Sequence, residues 1–258
     1  MKNLSDVKLF LMDMDGTIYH GDKPINGAFQ KIEELRTNGY KVKFLTNNSS
    51  KSPQAYVKKL NDLGLNATEA DILTSGQVTI NYLLREHPSK KVFLVGTDSL
   101  YDQFKAMGIP LSYDNADIVV LGFDKELTYD KMYRACRYLY NGTFYISTHP
   151  DMVCPAPLGD MPDVGALIKL LESVTGRAPD IICGKPHSQT AITVGELYNF
   201  KPHQIAMVGD RLYTDIAFGI NNDLFSILVL SGETTAEMLA ESDLKPDLIL
   251  DTFSELNL

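Results

Sequence analysis

The feature that most constrains the fold of this chain is a rhythm. Short, continuous apolar runs recur along its 258 residues, and stretches with helical spacing separate them. The runs are VKLFLMD (7–13), KVKFLTN (41–47), KVFLVGT (91–97), ADIVVLGF (116–123), TFYIST (143–148), DIICG (180–184), QIAMVGD (204–210), FSILVL (225–230) and DLIL (247–250). A strand with one face in water alternates apolar and polar residues. Most of these runs do not alternate, so they suit strands covered on both faces, as in a parallel sheet. Parallel strands need long crossovers, and helices supply them.

The intervening segments carry helix punctuation. In SPQAYVKKLNDLG, Ser52 can cap, Pro53 suits the first turn and Gly64 can stop the helix. Tyr56, Leu60 and Leu63 then share one stripe. AFQKIEELRTNG repeats the logic, with Phe29, Ile32 and Leu35 inward and Gly39 as terminator. Further helices are predicted near 76–86, 99–107, 128–140, 163–175, 187–199, 212–221 and 233–242. The implied class is α/β, with helices on both faces of the sheet. The segment 148–164 is long for a strand–helix connection, which marks it as functional.

Composition narrows the partners. A net charge of −9 argues against nucleic-acid polymers and anionic membranes, which are bound through basic surface. It also means that an anionic substrate would need a locally positive site. The three cysteines, Cys136, Cys154 and Cys183, form no CxxC pair, so reduced thiols in a cytoplasmic protein are expected. The apolar run near the N-terminus is too short for a secretory segment, and no run approaches a membrane span.

Chemistry concentrates where apolar runs end. Asp13 and Asp15 are two apart in a strand, so both face one side while Met14 faces the other, and Gly16 lets the backbone turn away. An acidic helix cap would explain one aspartate there, but not two on one side. Thr46 and Asn47 open a polar LTNNSS segment whose hydroxyl and N–H groups can donate to an anion, although such a segment is often only a turn. Lys185 in CGKPH is a point charge between a strand and a helix, without the glycines of a Walker A loop. Asp210 ends another run, and Asp215 follows in GDRLYTD.

Each motif has a plainer reading as a turn, a cap or a surface charge. Together they make one chemical statement. Carboxylates gathered at strand ends need a cation, and hard oxygens select Mg2+. One acid of the pair can attack phosphorus while the other moves protons. Thr46 and Lys185 can hold phosphoryl oxygens.

DMDGT (13–17), Thr46, Lys185 and GDRLYTD (209–215), in that order, resemble the haloacid dehalogenase (HAD) superfamily. The resemblance implies Asp13 as nucleophile and Asp15 as general acid and base. It implies Mg2+ held by the Asp13 carboxylate, the Asp15 backbone carbonyl and Asp210, with Asp215 supporting that shell. Phosphate binding would fall to Asp13, Gly16, Thr46, Asn47 and Lys185. Asp15 points to phosphoryl chemistry, because the dehalogenases lack this second acid.

The long interval between Thr46 and Lys185 is similar to a type IIA cap. The expected fold is therefore a HAD-like, Rossmann-like doubly wound core of residues 1–77 and 184–258, with an inserted α/β cap of 78–183 that closes over the site. GTIYHG, LTNNSS, ILTSG, STHPD, GKP and GDRLYTDI resemble the NagD-like, 4-nitrophenylphosphatase-like subfamily, whose members hydrolyse small phosphomonoesters. That implies a small phosphorylated metabolite as partner, with no nucleic-acid polymer and no membrane, and a homodimer through the cap. This chain reads Thr148-His149-Pro150-Asp151 where the family often has TNPD, and Pro162-Asp163-Val164-Gly165 where a Pro-Gly-x-Gly turn is common. His149, Asp151 and Met161 are the cap residues expected to face substrate. Two other readings stay open: a phosphotransferase or mutase on the same scaffold, and a low-turnover Mg2+- and phosphate-binding module. No Cys-x5-Arg loop or GxSxG elbow supports a rival hydrolase.

Overall fold

The computed structural model describes residues 2–156 and 158–258. They form two compact units. The first is Met1–Thr46, Pro53–Leu73 and Lys185–Leu258; the second is Asn47–Ser52 and Thr74–Gly184. Asn47–Ser52 groups with the second unit. Its hydrogen bonds explain why: Ser75 Oγ donates to the Asn47 carbonyl, Thr97 Oγ1 to the Ser50 carbonyl and the Phe123 N–H to Ser49 Oγ.

The sheet of the first unit has Leu9–Met12 at its centre. Lys41–Thr46 and Ile205–Gly209 flank it in parallel. Phe225–Val229 and Leu248–Leu250 continue in parallel beyond Ile205–Gly209, and Ile72–Thr74 forms the other edge. Every residue of Leu9–Met12 is buried, as the unbroken apolar run requires. The helix Ala28–Thr37 buries Phe29, Ile32 and Leu35. Pro53–Asp62 buries Tyr56 and Leu60, with Leu63 partly buried against the same core. Phe10, Phe44, Ile227 and Phe253 complete that core, and sealing each such side chain stabilises the fold by about 1.5–3 kcal/mol.

The second unit is built on a parallel sheet ordered Ile181–Ile182, Phe144–Ser147, Ile118–Leu121 and Val92–Val95. Its helices start on side-chain caps: Thr74 for Ser75–Glu86, Thr97 for Asp98–Ala106, Thr128 for Tyr129–Tyr140 and Asp163 for Val164–Thr175. Each cap accepts from an N–H that has no partner within the helix. Gly176, with φ of 69°, ends the last of these in the left-handed region that glycine adopts freely.

Local differences from the predicted elements have physical causes. The helix expected over 212–221 begins as a π-helical turn, Leu212–Ile216, before the α-helix Ala217–Asn221. The one expected over 233–242 is only Ala236–Glu241. Two small antiparallel ladders, Tyr19–His20 with Lys23–Pro24 and Val153–Cys154 with Met161–Pro162, are too short to leave a periodic signal. Among the described residues, no helix is long and apolar enough to cross a membrane.

Candidate active site

The strand order of the first unit creates the site. From Leu9–Met12 the chain builds outward on one side through Lys41–Thr46, then returns to the other side with Ile205–Gly209. Ligands of open α/β sheets bind at such a reversal, beyond the carboxyl ends of the strands. Asp13 follows the central strand, and its N–H donates to the Val208 carbonyl at 2.9 Å, one step past the ladder. Asp210 follows the neighbouring strand, and Thr46 ends the strand on the other side. Asp13, Thr46 and Asp210 thus stand on adjacent strand ends.

Asp210 is held from every side. Its Oδ1 accepts from Thr17 Oγ1 at 3.1 Å and its Oδ2 from the Glu233 N–H at 2.7 Å. A Cβ at Gly16 would lie 2.3 Å from Asp210 Oδ2, and one at Gly232 only 2.0 Å away. Gly16 also has φ of 89°, so glycine is needed there for both space and backbone. Asp15 differs from Asp13. The Asp15 side chain is 57% exposed, and its carboxylate lies 4.0 Å from His20 Nδ1. Met14 is buried, which leaves the two aspartates as the polar face of this turn.

Lys185 lies inside this cluster. Its side chain is 2% exposed, and Nζ donates to Asp13 Oδ1 at 2.7 Å and Asp215 Oδ1 at 2.6 Å. Burial opposes the ammonium charge, but the two carboxylates outweigh it and hold the Lys185 pKa above the ordinary lysine value. Burial, joined by the Asp13 charge, pushes the Asp210 carboxyl above the usual range. Asp215 also goes up: burial dominates, Lys185 opposes, and Asp13 and Asp210 add to the rise. The Lys185 ammonium therefore serves two of three crowded carboxylates, and the Arg211 charge opposes the rise at the third, Asp210. Oxygens of Asp13, Asp210 and Asp215 lie within 4.8 Å of one another and could hold a metal ion. All are hard donors, and a divalent cation would discharge the repulsion that raises these pKa values, so the residues present fit a hard metal such as Mg2+.

The other expected residues lie in the second unit. Asn47 Nδ2 donates to Asp151 Oδ1 at 2.9 Å. His149 is fully buried, with Nε2 3.0 Å from Asp163 Oδ1, so this structure shows it within the unit rather than at a substrate-facing surface. Asp151 and Met161 are half-buried.

Sequence reasoning missed Thr17 and the Ser231–Glu233 turn that closes on Asp210. Ser231 Oγ donates to the Gly16 carbonyl at 2.8 Å, and Arg211 Nε is 2.9 Å from Glu233 Oε2. The available signal was position: LSGETT directly follows the strand Phe225–Val229, at the same edge as the other motifs.

Comparison with known proteins gives this geometry a family. The haloacid dehalogenase-like hydrolase model matches residues 10–110, and a second, HAD-hydrolase-like model matches 182–256. An acid sugar phosphatase of Staphylococcus saprophyticus is 34% identical over 98% of this chain and 97% of its own length. The chain belongs to the haloacid dehalogenase-like hydrolases. Among solved structures of such hydrolases, the 4-nitrophenylphosphatase of Thermotoga maritima superposes with a TM-score of 0.95 at 42% identity, covering 98% of this chain and 97% of that one. NagD of E. coli K-12 gives 0.90 at 27% identity, covering 97% and 98%. HAD-like hydrolases generally use a divalent metal, in keeping with the acidic cluster here.

Proposed function

We propose that this HAD-like hydrolase is a Mg2+-dependent phosphatase for small phosphomonoesters, sugar phosphates among them, working through an aspartyl-phosphate. The observation that carries the reading is the convergence of Asp13, Asp210, Asp215 and Lys185 beyond the central strand ends. It is supported by the similarity to an acid sugar phosphatase and a 4-nitrophenylphosphatase.

In the first step an Asp13 carboxylate oxygen attacks phosphorus, and the bond to the leaving alkoxide oxygen breaks. Asp15, more exposed and free of the lysine, delivers a proton to that oxygen. In the second step Asp15 takes a proton from water, the water oxygen attacks phosphorus, and the acyl-phosphate bond breaks. Inorganic phosphate leaves and Asp13 is restored. The Lys185 ammonium and Thr46 hold the non-reacting oxygens as charge shifts among them. The Asp13 and Asp210 carboxylates and the Asp15 carbonyl would hold the Mg2+, and Asp215 would orient Lys185 beside it. When bound, the ion supplies positive charge to phosphoryl oxygens and lets the acids sit close together.

The second unit is assigned as the cap that selects among esters, with Asp151 and Met161 as its contacts, and a homodimer through this unit belongs to the same proposal. Cys136, Cys154 and Cys183 are in no disulfide among the described residues, which fits a cytoplasmic enzyme acting on free metabolites. The test is phosphate release from a panel of sugar phosphates, nucleoside monophosphates and 4-nitrophenyl phosphate, with and without Mg2+. Asp13→Asn should abolish turnover on every ester; wild-type rates in that variant would sink the mechanism.

A further inference from the structure

Inside the second unit lies a polar cluster that the proposed chemistry does not use. Ser49, Ser75, Thr148, His149 and Asp163 are all sealed from solvent. His149 Nε2 faces a carboxylate oxygen of Asp163 at 3.0 Å, so this nitrogen carries the hydrogen and donates. In the neutral ring Nδ1 is then the acceptor, and the Thr148 hydroxyl donates to it at 3.0 Å. Asp163 also caps the helix Val164–Thr175 through the Val164 N–H at 2.7 Å. The imidazole is therefore fixed at both nitrogens, one of them to the start of a helix.

What this ring touches gives it meaning. Ser75 Oγ lies 3.4 Å from Nδ1 and spends its hydrogen on the Asn47 carbonyl. Asn47 is joined by one peptide bond to Thr46. The Thr148 carbonyl accepts from the Gly184 N–H at 2.7 Å. A Cβ on Gly184 would come within 2.7 Å of both His149 Cβ and Asn47 Oδ1. Gly184 is joined by one peptide bond to Lys185. His149 thus reaches Asn47 through Ser75, and meets Gly184 through its own Cβ and the Thr148 carbonyl. The motif residues beside them, Thr46 and Lys185, are 139 residues apart in the chain.

We infer that His149 is a positioning residue, clamping Asn47 and Gly184 so that Thr46 and Lys185 keep their spacing. The inference rests on the phosphatase reading, which gives Thr46 and Lys185 the phosphoryl oxygens. An apolar side chain of equal size would fill the space without the cost of burying a polar ring. What imidazole adds is direction, through two bonds that allow only one placement of the 148–149 backbone. Grip on an expanding phosphoryl group is the property most sensitive to small displacements.

The test compares His149→Phe with Leu139→Ala, a core substitution in the same unit, using 4-nitrophenyl phosphate as substrate. Inhibition constants for orthovanadate, a trigonal-bipyramidal mimic, and for inorganic phosphate do not depend on how much of the sample is folded. In His149→Phe, kcat should fall about 10- to 100-fold with KM near wild type, and vanadate should weaken by a similar factor while phosphate weakens much less. His149→Asn, which keeps a donor and an acceptor, should recover part of the loss. Leu139→Ala should lower the melting temperature and leave both inhibition constants unchanged. If His149→Phe does not fold, Thr148→Val, which removes the hydroxyl bonded to Nδ1 and to Ser49 Oγ, should show the same vanadate-selective loss, and Ser49→Ala, which takes from that hydroxyl only its bond to Ser49, should not. Unchanged vanadate inhibition in the folded variant would overturn the inference. Asp13→Asn run alongside separates the failures: an active Asp13→Asn overturns the phosphatase reading, whereas an inactive one with normal vanadate inhibition in the histidine variant overturns the clamp alone.

Discussion

Lys185 Nζ lies 2.6 Å from Asp215 Oδ1, and neither side chain is more than 2% exposed. A contact this deep gives each charge few alternatives. Water cannot replace the ammonium, and the strand-end acids surround it. The pair therefore ties the charge balance of the site to the stability of the first unit.

Replacing Lys185 by Met should cost about 3–5 kcal/mol near neutral pH, because it leaves Asp215 buried without its cation. In the variant the Asp215 pKa stays raised by burial and loses the group that opposed the rise. The folded state then binds a proton more tightly than the unfolded chain. Stability should be greatest below the unfolded carboxylate range and fall as pH rises toward the folded value. Urea unfolding at several pH values checks this; a deficit that does not change with pH contradicts it.

Adding Mg2+ should stabilise the wild type, since the ion binds acids that are gathered only in the folded chain. At a hundredfold excess over Kd the gain is about 2.7 kcal/mol. Asp210→Asn should lose this gain, yet melt no lower than wild type in EDTA, because it removes one of the carboxylates that repel each other. Calorimetric melts with and without Mg2+ read both outcomes.

Asp15→Asn should slow substrates unequally. A sugar phosphate has an alkoxide leaving group that needs a proton, so its kcat should fall about 100- to 10,000-fold. 4-Nitrophenolate departs readily without one, and its first step should suffer far less. Burst kinetics on the two esters would separate the cases; equal slowing of both first steps would remove Asp15 as the proton donor.

Asp71 offers a pH effect away from the site. Burial works to raise its pKa, but the Thr68 N–H, the Lys43 ammonium and the Thr68 hydroxyl together hold it below the ordinary carboxylate value. Lys43 Nζ is 3.0 Å from Asp71 Oδ1, and Oδ2 accepts from Thr68 at 2.9 Å. A depressed acid contributes stability above its unfolded pKa and loses it as pH falls through the folded one. Asp71→Asn should therefore be less stable than wild type at neutral pH, and the gap should close in acid. Paired urea titrations at neutral and acidic pH measure it.

Much of this molecule could be read in the sequence, and particular residues show why. The strands Leu9–Met12 and Ile205–Gly209 are buried on both faces, so their composition alone announces them. Asp13 and Asp210 were legible because an acid at the end of such a run has no role in packing. Short-range geometry was not legible. The π-helical turn at Leu212–Ile216 aims Asp215 at Lys185, but its sequence reads as ordinary helix. The position of His149 was hidden for a different reason. Loop composition suggests exposure, whereas Asp163, fourteen residues on, and the neighbouring Thr148 hydroxyl bond the two ring nitrogens in the interior.

The central strand carries one last consequence. Leu9–Met12 is laddered on both edges and covered on both faces, and Asp13 is the next residue along. Amide protons of Phe10, Leu11 and Met12 should exchange with solvent only when the whole first unit opens. The nucleophile is thus mounted on the slowest-exchanging part of the unit. Heat should not silence this enzyme by loosening Asp13 ahead of the rest; chemistry and fold should be lost in the same transition.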